Sequence, residues 1–407
     1  MSQPPAPPFR IRDLGLSVYL PTFLFAVGQG ASIPFTPLIA TDMGASVAFA
    51  AFTVGVRGVG MMVFDVPAGM LVGAVGERWA MVVATVLLVV VSAGAAVTQS
   101  PAQFAVLMFV MGWSWSIWQL ARLTYVSDHA PPEVRGRALS LVGGTNRIGN
   151  FVGPFIGGLL AVQFGLVSTF HLQAVCAIVS CALMFLLMRS NEGTEGAHGS
   201  MGHRFTSVIT ENRRIFATAG LAIICLGVLR ASRQTVIPLW GEHIGLDAQA
   251  VGYVFGLSGG LDMLLFYPTG VVMDRWGRKW VAIPCLTVLA LGMILIPWAT
   301  TLIPFIVVAL ITGLGNGMGS GIVMTLGADF SPPQNRAEFL GVWRLIGDIG
   351  QSAGPFVLSA VTGIATLGIA SIATGGIGLV GAAITVFFVA ETLPKRARAP
   401  QIPEAPR

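Results

Sequence analysis

The sequence predicts an all-α integral membrane protein with twelve spanning helices, built as two pseudo-symmetric six-helix bundles. Three observations carry this. Of 407 residues, 54% are hydrophobic and only 10% charged, where a soluble domain carries about 25% charged residues. Twelve apolar segments fill most of the chain, each long enough to cross a hydrocarbon core of about 30 Å. The sequence also aligns with itself, without gaps over long stretches, at a shift of 201 residues. The mean hydropathy of +0.79 agrees. Together these exclude a soluble enzyme, a secreted disulfide scaffold and a nucleic-acid binder.

Numbered in chain order, the spans fall near 14–40, 46–73, 80–98, 102–127, 136–163, 168–188, 215–241, 249–273, 281–299, 302–327, 337–363 and 366–390. With a cytoplasmic N-terminus, the even-numbered connections and both tails lie inside. Of the 23 Lys and Arg, 17 then fall on the inside (counting Arg137, at the inner end of span 5), six lie deeper within spans and none falls in outside loops. Basic loops stay on the cytoplasmic side, so this asymmetry predicts the orientation. It also accounts for the pI near 9.4 without a polyanionic partner. The Pro-rich segment 1–13 carries Arg10 and Arg12 and is followed by no cleavable signal pattern, so span 1 is expected to stay in the membrane.

Cys176, Cys181, Cys225 and Cys285 all fall in apolar spans without a CxxC spacing and read as small buried hydrophobes. His198 and His203 have a metal-like spacing but no third ligand, and loop histidines of that kind are usually solvated. No GxxxxGK[ST] occurs, so no ATP hydrolysis is expected and no cofactor or metal is implied. The glycine run 313–321 lies inside a span with no strand before it and reads as a helix-packing surface.

The repeat superposes Pro37 on Pro238, Pro67 on Pro268, Gly69 on Gly270, Gly112 on Gly313 and Gly153-Pro154 on Gly354-Pro355. The pattern Asp-x-x-Pro-Pro-x-x-Arg runs from Asp128 to Arg135 and recurs from Asp329 to Arg336. The expected organisation is a tail (1–13), one half (14–189), a polar Gly-rich linker (190–213), a second half (214–391) and a tail (392–407).

With these motifs in hand, the chain resembles a major facilitator superfamily transporter over essentially its whole length. It is most similar to the twelve-helix drug/proton antiporter branch. The family loop motif G-x-x-x-D-R-x-G-R-K is complete as Gly270, Asp274, Arg275, Gly277, Arg278 and Lys279. Its first-half copy keeps Gly69 and Gly76 but has Gly73 at the acidic position and Ala74 at the following Arg. The antiporter motif G-x-x-x-G-P-x-x-G-G is complete as Gly149, Gly153, Pro154, Gly157 and Gly158. Close helix packing is the competing reading of these glycines. Met108 stands where many relatives carry an Arg in span 4, which argues against a proton relay through that residue. The resemblance implies two halves around a central midplane cavity, alternating access and a monomer in the cytoplasmic membrane. Its partners would be a small-molecule substrate and protons.

Charges at membrane depth are costly and are functional candidates by default. They are Arg57 and Asp65 (span 2), Arg122 (span 4), Arg147 (span 5), Arg230 and Arg233 (span 7), Asp262 (span 8), and Arg344 and Asp348 (span 11). Spans 3, 6, 9 and 12 lack them, and the resemblance places those four against lipid. The family arrangement suggests Arg57–Asp348 and Arg147–Asp262 across the interface, and Asp65 with Arg122 at comparable depth. Asp128, Asp274, Arg278 and Asp329 are further gate candidates. Three arginines remain over, so Arg230, Arg233 and Arg344 are candidates for holding a substrate anion, against a purely structural pairing. Asp348 and Asp262, the deepest acids, are the candidates for proton coupling. Trp115, Trp118 and Arg122 share one face of span 4; with Trp343 opposite and Asn146, Gln119 and Asn316 nearby, they suit an amphipathic substrate. A membrane enzyme would need a catalytic constellation, and the sequence offers none.

Overall fold

In a computed structural model the chain is described over residues 14–188 and 208–393, and every regular element there is helical. The tail 1–13 and the His198/His203 pair lie outside these residues, as do most of the linker and nearly all of the C-terminal tail. The helices are α1 (Gly15–Asp42), a run Val47–Val97 that bends at Gly76 into α2 (47–75) and α3 (77–97), α4 (Pro101–His129) and α5 (Pro132–Phe164). α6 (Ser168–Leu187), α7 (Arg213–His243), α8 (Ala248–Trp276) and α9 (Lys279–Trp298) follow. The last three are α10 (Leu302–Phe330), α11 (Arg336–Thr362) and α12 (Leu367–Phe387). Charge dilutes the apolar signal of α5 and α11, which carry Arg147 and the Arg344/Asp348 pair at membrane depth.

Two details depart from the expected spans. The connection expected near 74–79 is a kink in continuous helix, where Gly76 takes φ +79°, a backbone conformation only glycine adopts without strain. The glycine run of α10 both packs and breaks. Gly315 and Gly317 press on α9 and α8, whereas Gly319–Gly321 interrupts the helix, with φ +85° at Gly321.

The two halves repeat each other in detail. Gly44 and Gly245, 201 residues apart, share positive φ, as do Gly76 and Gly277. α5 lies directly on α1: a Cβ on Gly149 would sit 2.7 Å from the Phe23 carbonyl oxygen, and one on Gly153 2.6 Å from that of Val27. Their mates Gly350 and Gly354 stand equally close to Ile224 and Val228 of α7. Absent side chains let backbones approach, which is how helices associate where lipid removes the hydrophobic drive.

The halves meet along two seams, α2 against α11 and α5 against α8. Toward the end opposite the basic connections the seams are tight. Gly55 abuts Phe356, Gly58 abuts Ser352, Gly252 abuts the Pro154 carbonyl and Gly256 abuts Phe155. The last turns of α1 and α7 also touch there, Thr41 Oγ1 donating to Glu242 Oε1 and Oε2 at 3.2 Å. Toward the basic end the seams part: Cβ atoms placed on Gly73, Gly143, Gly144 or Gly270 meet nothing within 4 Å. The molecule is closed at one end and cleft at the other.

Candidate functional site

Just past the closed seams, where the halves begin to diverge, the intramembrane charges sort into two clusters. On the α5/α8 side, Arg147 Nη1 lies 3.9 Å from Asp262 Oδ1, joining the halves. Asp262 also accepts from Asn316 Nδ2 at 2.6 Å and Ser320 Oγ at 3.2 Å, both on α10. The Arg147 guanidinium sits 4.1 Å above the Phe266 ring, a cation–π contact that steadies it without neutralising it. Arg230 of α7 donates to the Gly319 carbonyl at 2.8 Å. That carbonyl also accepts the Ile322 N–H at 3.2 Å, so it serves both the turn at the α10 break and Arg230. Arg233, one turn on, is buried and donates to Thr312 Oγ1 (3.1 Å) and Ser258 Oγ (2.6 Å). Three guanidinium groups thus surround one carboxylate, a local charge of +2.

On the α2/α11 side the balance is reversed. Arg344 Nη2 lies 3.5 Å from Asp65 Oδ1, and its Nε lies 3.7 Å from Asp348 Oδ2. Ser116 of α4 donates to Asp65 Oδ1. One guanidinium serves two carboxylates, a local charge of −1.

These placements correct several expectations. Arg57 does not reach Asp348: its Nη2 donates to Gln29 Oε1 of α1 at 2.6 Å. Residue 57 lies eight residues from residue 65 along α2, about 12 Å at the helical rise, and it is Asp65 that stands level with Arg344. Asp65 and Arg122 share a depth but not a direction. Ser116 turns toward α2, and Arg122, six residues on, points about 240° further round α4. Arg122 donates to Gln119 and lies over Trp118, which stacks on Phe25 of α1. Trp118 and Arg122 are therefore interior to the first half rather than a cavity face, while Trp115 packs beside them on Phe25 and is half-buried. Trp343 is buried, stacks on Phe339 and donates from Nε1 to the Val323 carbonyl at 2.7 Å, so it props the broken α10 instead of facing span 4. Arg344 belongs with Asp65 and Asp348, not with Arg230 and Arg233. Asn146 uses its carbonyl groups to hold Asn150 within α5.

The loop-motif charges tie the second half to itself. Arg278 Nε binds Asp329 Oδ2 at 2.8 Å, Arg278 Nη1 donates to the Met273 carbonyl and Asp274 stands 4.0 Å away. Glu391, beyond α12, accepts from the backbone N–H groups of Arg278 (2.8 Å) and Lys279 (3.0 Å), capping the start of α9. Asp128 is exposed at the end of α4. The antiporter-motif glycines line no cavity: Gly149, Gly153 and Gly157 face α1, while Pro154 and Gly158 face α8.

Sequence reasoning missed Gln29, Ser116, Ser320, Thr41 and Glu242. The 201-residue shift held the signal for the last two: Thr41 aligns on Glu242, so repeat mates touch each other on the pseudo-two-fold axis. Beside them a recess of about 900 Å³ opens at the closed end, lined in part by Ser46, His243, Thr362 and Leu367.

A family model for the major facilitator superfamily matches residues 18–261 and again 219–407. The chain belongs to the major facilitator superfamily. Its members carry small molecules across membranes and are not enzymes. Among relatives, the MFS-type transporter MJ1560 of Methanocaldococcus jannaschii is 20% identical, over 86% of this chain and 92% of its own length. The multidrug resistance protein MdtG of Salmonella typhimurium is 22% identical, over 63% of this chain and 69% of its own. Among solved structures, the inward-open xylose transporter XylE of E. coli superposes with a TM-score of 0.71 at 16% identity. That match covers 95% of this chain and 98% of the other, and it speaks for the fold. The twelve-helix, two-half architecture expected from the repeat is thus that of this family.

Proposed function

We propose that this transporter is a proton-coupled exporter of the cell membrane, working as a monomer, that moves a small amphipathic organic anion outward. Its substrate site is the Arg147, Arg230, Arg233 and Asp262 cluster. The observation behind this is the surplus of guanidinium groups: three about one carboxylate at membrane depth, where an uncompensated charge is expensive and an anion relieves it. Arg147 and Arg230 face the cleft; Arg233, fully hydrogen-bonded, backs them. Phe266 offers the apolar contact an amphipath needs. The likeness to MdtG supports export, and the Lys/Arg-rich connections support a cytoplasmic open end, which makes this the inward-facing state, ready to load from inside. The two halves, 14–189 and 214–391, rock about the seams, and the linker 190–213 joins them on the cytoplasmic side.

A second reading, an importer or facilitator of organic anions, keeps the same cluster. It gains from the antiporter-motif glycines being wholly engaged in packing.

The test is thermal stabilisation of the purified protein by octanoate, octanol and octylammonium. Saturation at a hundred times the dissociation constant adds about 2.7 kcal/mol. Stabilisation by octanoate, lost in Arg147→Gln and Arg230→Gln, is the expected result. Stabilisation by octylammonium alone refutes the anion site. Flux into everted membrane vesicles that needs a pH gradient separates export from facilitation.

A further inference from the structure

We propose that Asp65 and Asp348 form a carboxyl dyad across the interface that shares a single proton, and that this pair, rather than Asp262, is the proton carrier. This rests on the proton-coupled reading above and changes who carries the proton. Arg344 spans both acids, at 3.5 Å from Asp65 and 3.7 Å from Asp348, and so draws the two carboxyls together across the seam.

The repeat shows that this approach is built into the fold. Residue 348 is the mate of residue 147, and residue 65 is the mate of residue 266. Arg147 lies 4.1 Å above the Phe266 ring in one seam, and Asp348 reaches Asp65 by the same geometry in the other. A contact between cation and ring thus becomes, at the matching place, a contact between two acids. Two carboxylates at that separation repel unless a proton joins them.

The groups facing the pair are few. Arg344 comes from α11 and the Ser116 hydroxyl from α4, where it donates to Asp65. Arg57 and Arg122, the intramembrane cations of α2 and α4, are turned to Gln29 and Gln119, and Arg147 of α5 lies on the other seam against Asp262. The side chains of Asp65, Asp348 and Arg344 are 28%, 27% and 50% exposed, so water in the cleft reaches them. Immediately above, Gly58–Ser352 and Gly55–Phe356 close the seam.

The step is a plain proton transfer. A hydronium ion in the cleft passes its proton to the pair and leaves as water, and the proton lies between one oxygen of Asp65 and one of Asp348. When it leaves, both acids are carboxylates and Arg344 is their one counter-charge. Asp65 sits on the first half and Asp348 on the second, so the proton state sets whether the halves attract or repel at the hinge of the cleft. Asp262 already accepts from Asn316 and Ser320 beside Arg147, on the other side of the cleft.

The test is infrared difference spectroscopy of the protonated-carboxyl C=O band in the purified full-length protein, scanned by pH from acid to alkaline. Wild type should show one protonated carboxyl that titrates out as a single proton as the pH rises. Asp65→Asn and Asp348→Asn should each abolish the whole band, the double variant should look like either single one, and Asp262→Asn should keep it. A band removed by only one of the two, halved by each, or lost with Asp262→Asn overturns the dyad. So does its absence from wild type, a readout that needs no variant to fold. A retained dyad with flux indifferent to a pH gradient would sink the antiport reading and leave the shared proton standing. Gradient-driven flux without the band would do the reverse.

Discussion

Replacing Gly153 by Ala separates packing from transport chemistry in the G-x-x-x-G-P-x-x-G-G segment. A Cβ there would stand 2.6 Å from the Val27 carbonyl oxygen and 2.7 Å from the Ala31 nitrogen, both backbone atoms of α1. Ordinary contact begins near 3.4 Å, so the two helices must part by several tenths of an ångström along a face they share for three turns. Overpacking of this kind costs about 1–3 kcal/mol. Ala in place of Gly within a helix returns about 0.5–1 kcal/mol. The net is a loss of about 1–2 kcal/mol. Gly144, two turns earlier on α5, has nothing within 4 Å of its would-be Cβ, so Gly144→Ala keeps only the helical gain. The two variants therefore differ by about 2 kcal/mol, or about 4–8 °C in Tm for a unit the size of one half. The assay is thermal unfolding in one detergent, followed by intrinsic Trp fluorescence. Gly354→Ala, the repeat mate against Val228, should fall with Gly153→Ala. Equal melting of Gly153→Ala and Gly144→Ala refutes the packing account and returns the motif to the transport pathway.

Two further outcomes are expected. Thr41→Val removes the donor to Glu242 on the pseudo-two-fold axis, a hydrogen bond to a charged group worth about 1.5–3 kcal/mol when well shielded and less at this exposed place. Spin-label distances between the ends of α1 and α7 should then show the outward-open state populated severalfold more, and an unchanged distribution would mean the seams alone hold that end shut. Glu391, in the connection beyond α12, is the other. Partial burial pushes its carboxyl up, but the N–H groups of Lys279, Arg278, Leu393 and Thr392 push it further down, leaving it below the ordinary Glu range. A depressed acid stabilises the fold above its unfolded value, about pH 4.3, and that contribution is lost as pH falls through the folded value. Glu391→Ala should thus lower Tm at neutral pH, with the gap to wild type closing under acid. A gap constant with pH would assign the effect to lost contacts other than the charge.

Much of the scaffold was legible because membrane solvation writes it in long strokes. Each span end lies within a few residues of its helix, and the repeat is visible in Gly112 and Gly313, which both face a carbonyl of the neighbouring helix. What failed was partner choice. Depth along the membrane can be counted in residues, but azimuth depends on how two helices are rotated against each other. Asp65 and Arg122 agreed in depth and not in azimuth. Arg57 was given to Asp348 because the right helices were chosen in the wrong register. The break at Gly319–Gly321, whose turn carbonyl Arg230 shares, is hidden in the sequence because the neighbouring glycines of the same run serve for packing.

Where the two halves agree under the 201-residue shift, they build helices and contacts: Gly153 and Gly354, Gly76 and Gly277, Pro67 and Pro268. Where they disagree, charge appears. Asp348 stands opposite Arg147, Asp65 opposite Phe266, Arg230 opposite Gln29 and Asp262 opposite Met61. A duplicated bundle with identical seams would have no reason to treat an anion and a proton differently, because each seam would offer the same field. These unmatched charges, with the inversion at Arg147 and Asp348 the largest contributor, leave one seam at net +2 and the other at net −1, on opposite sides of one cleft. On the proposed function, an anion loaded at the first and a proton held at the second act on the same rocking motion through separate contacts. That predicts energetic coupling between the sites without shared ligands: neutralising Asp65 should alter octanoate affinity only through the inward–outward equilibrium, and a disulfide locking the halves should erase its effect.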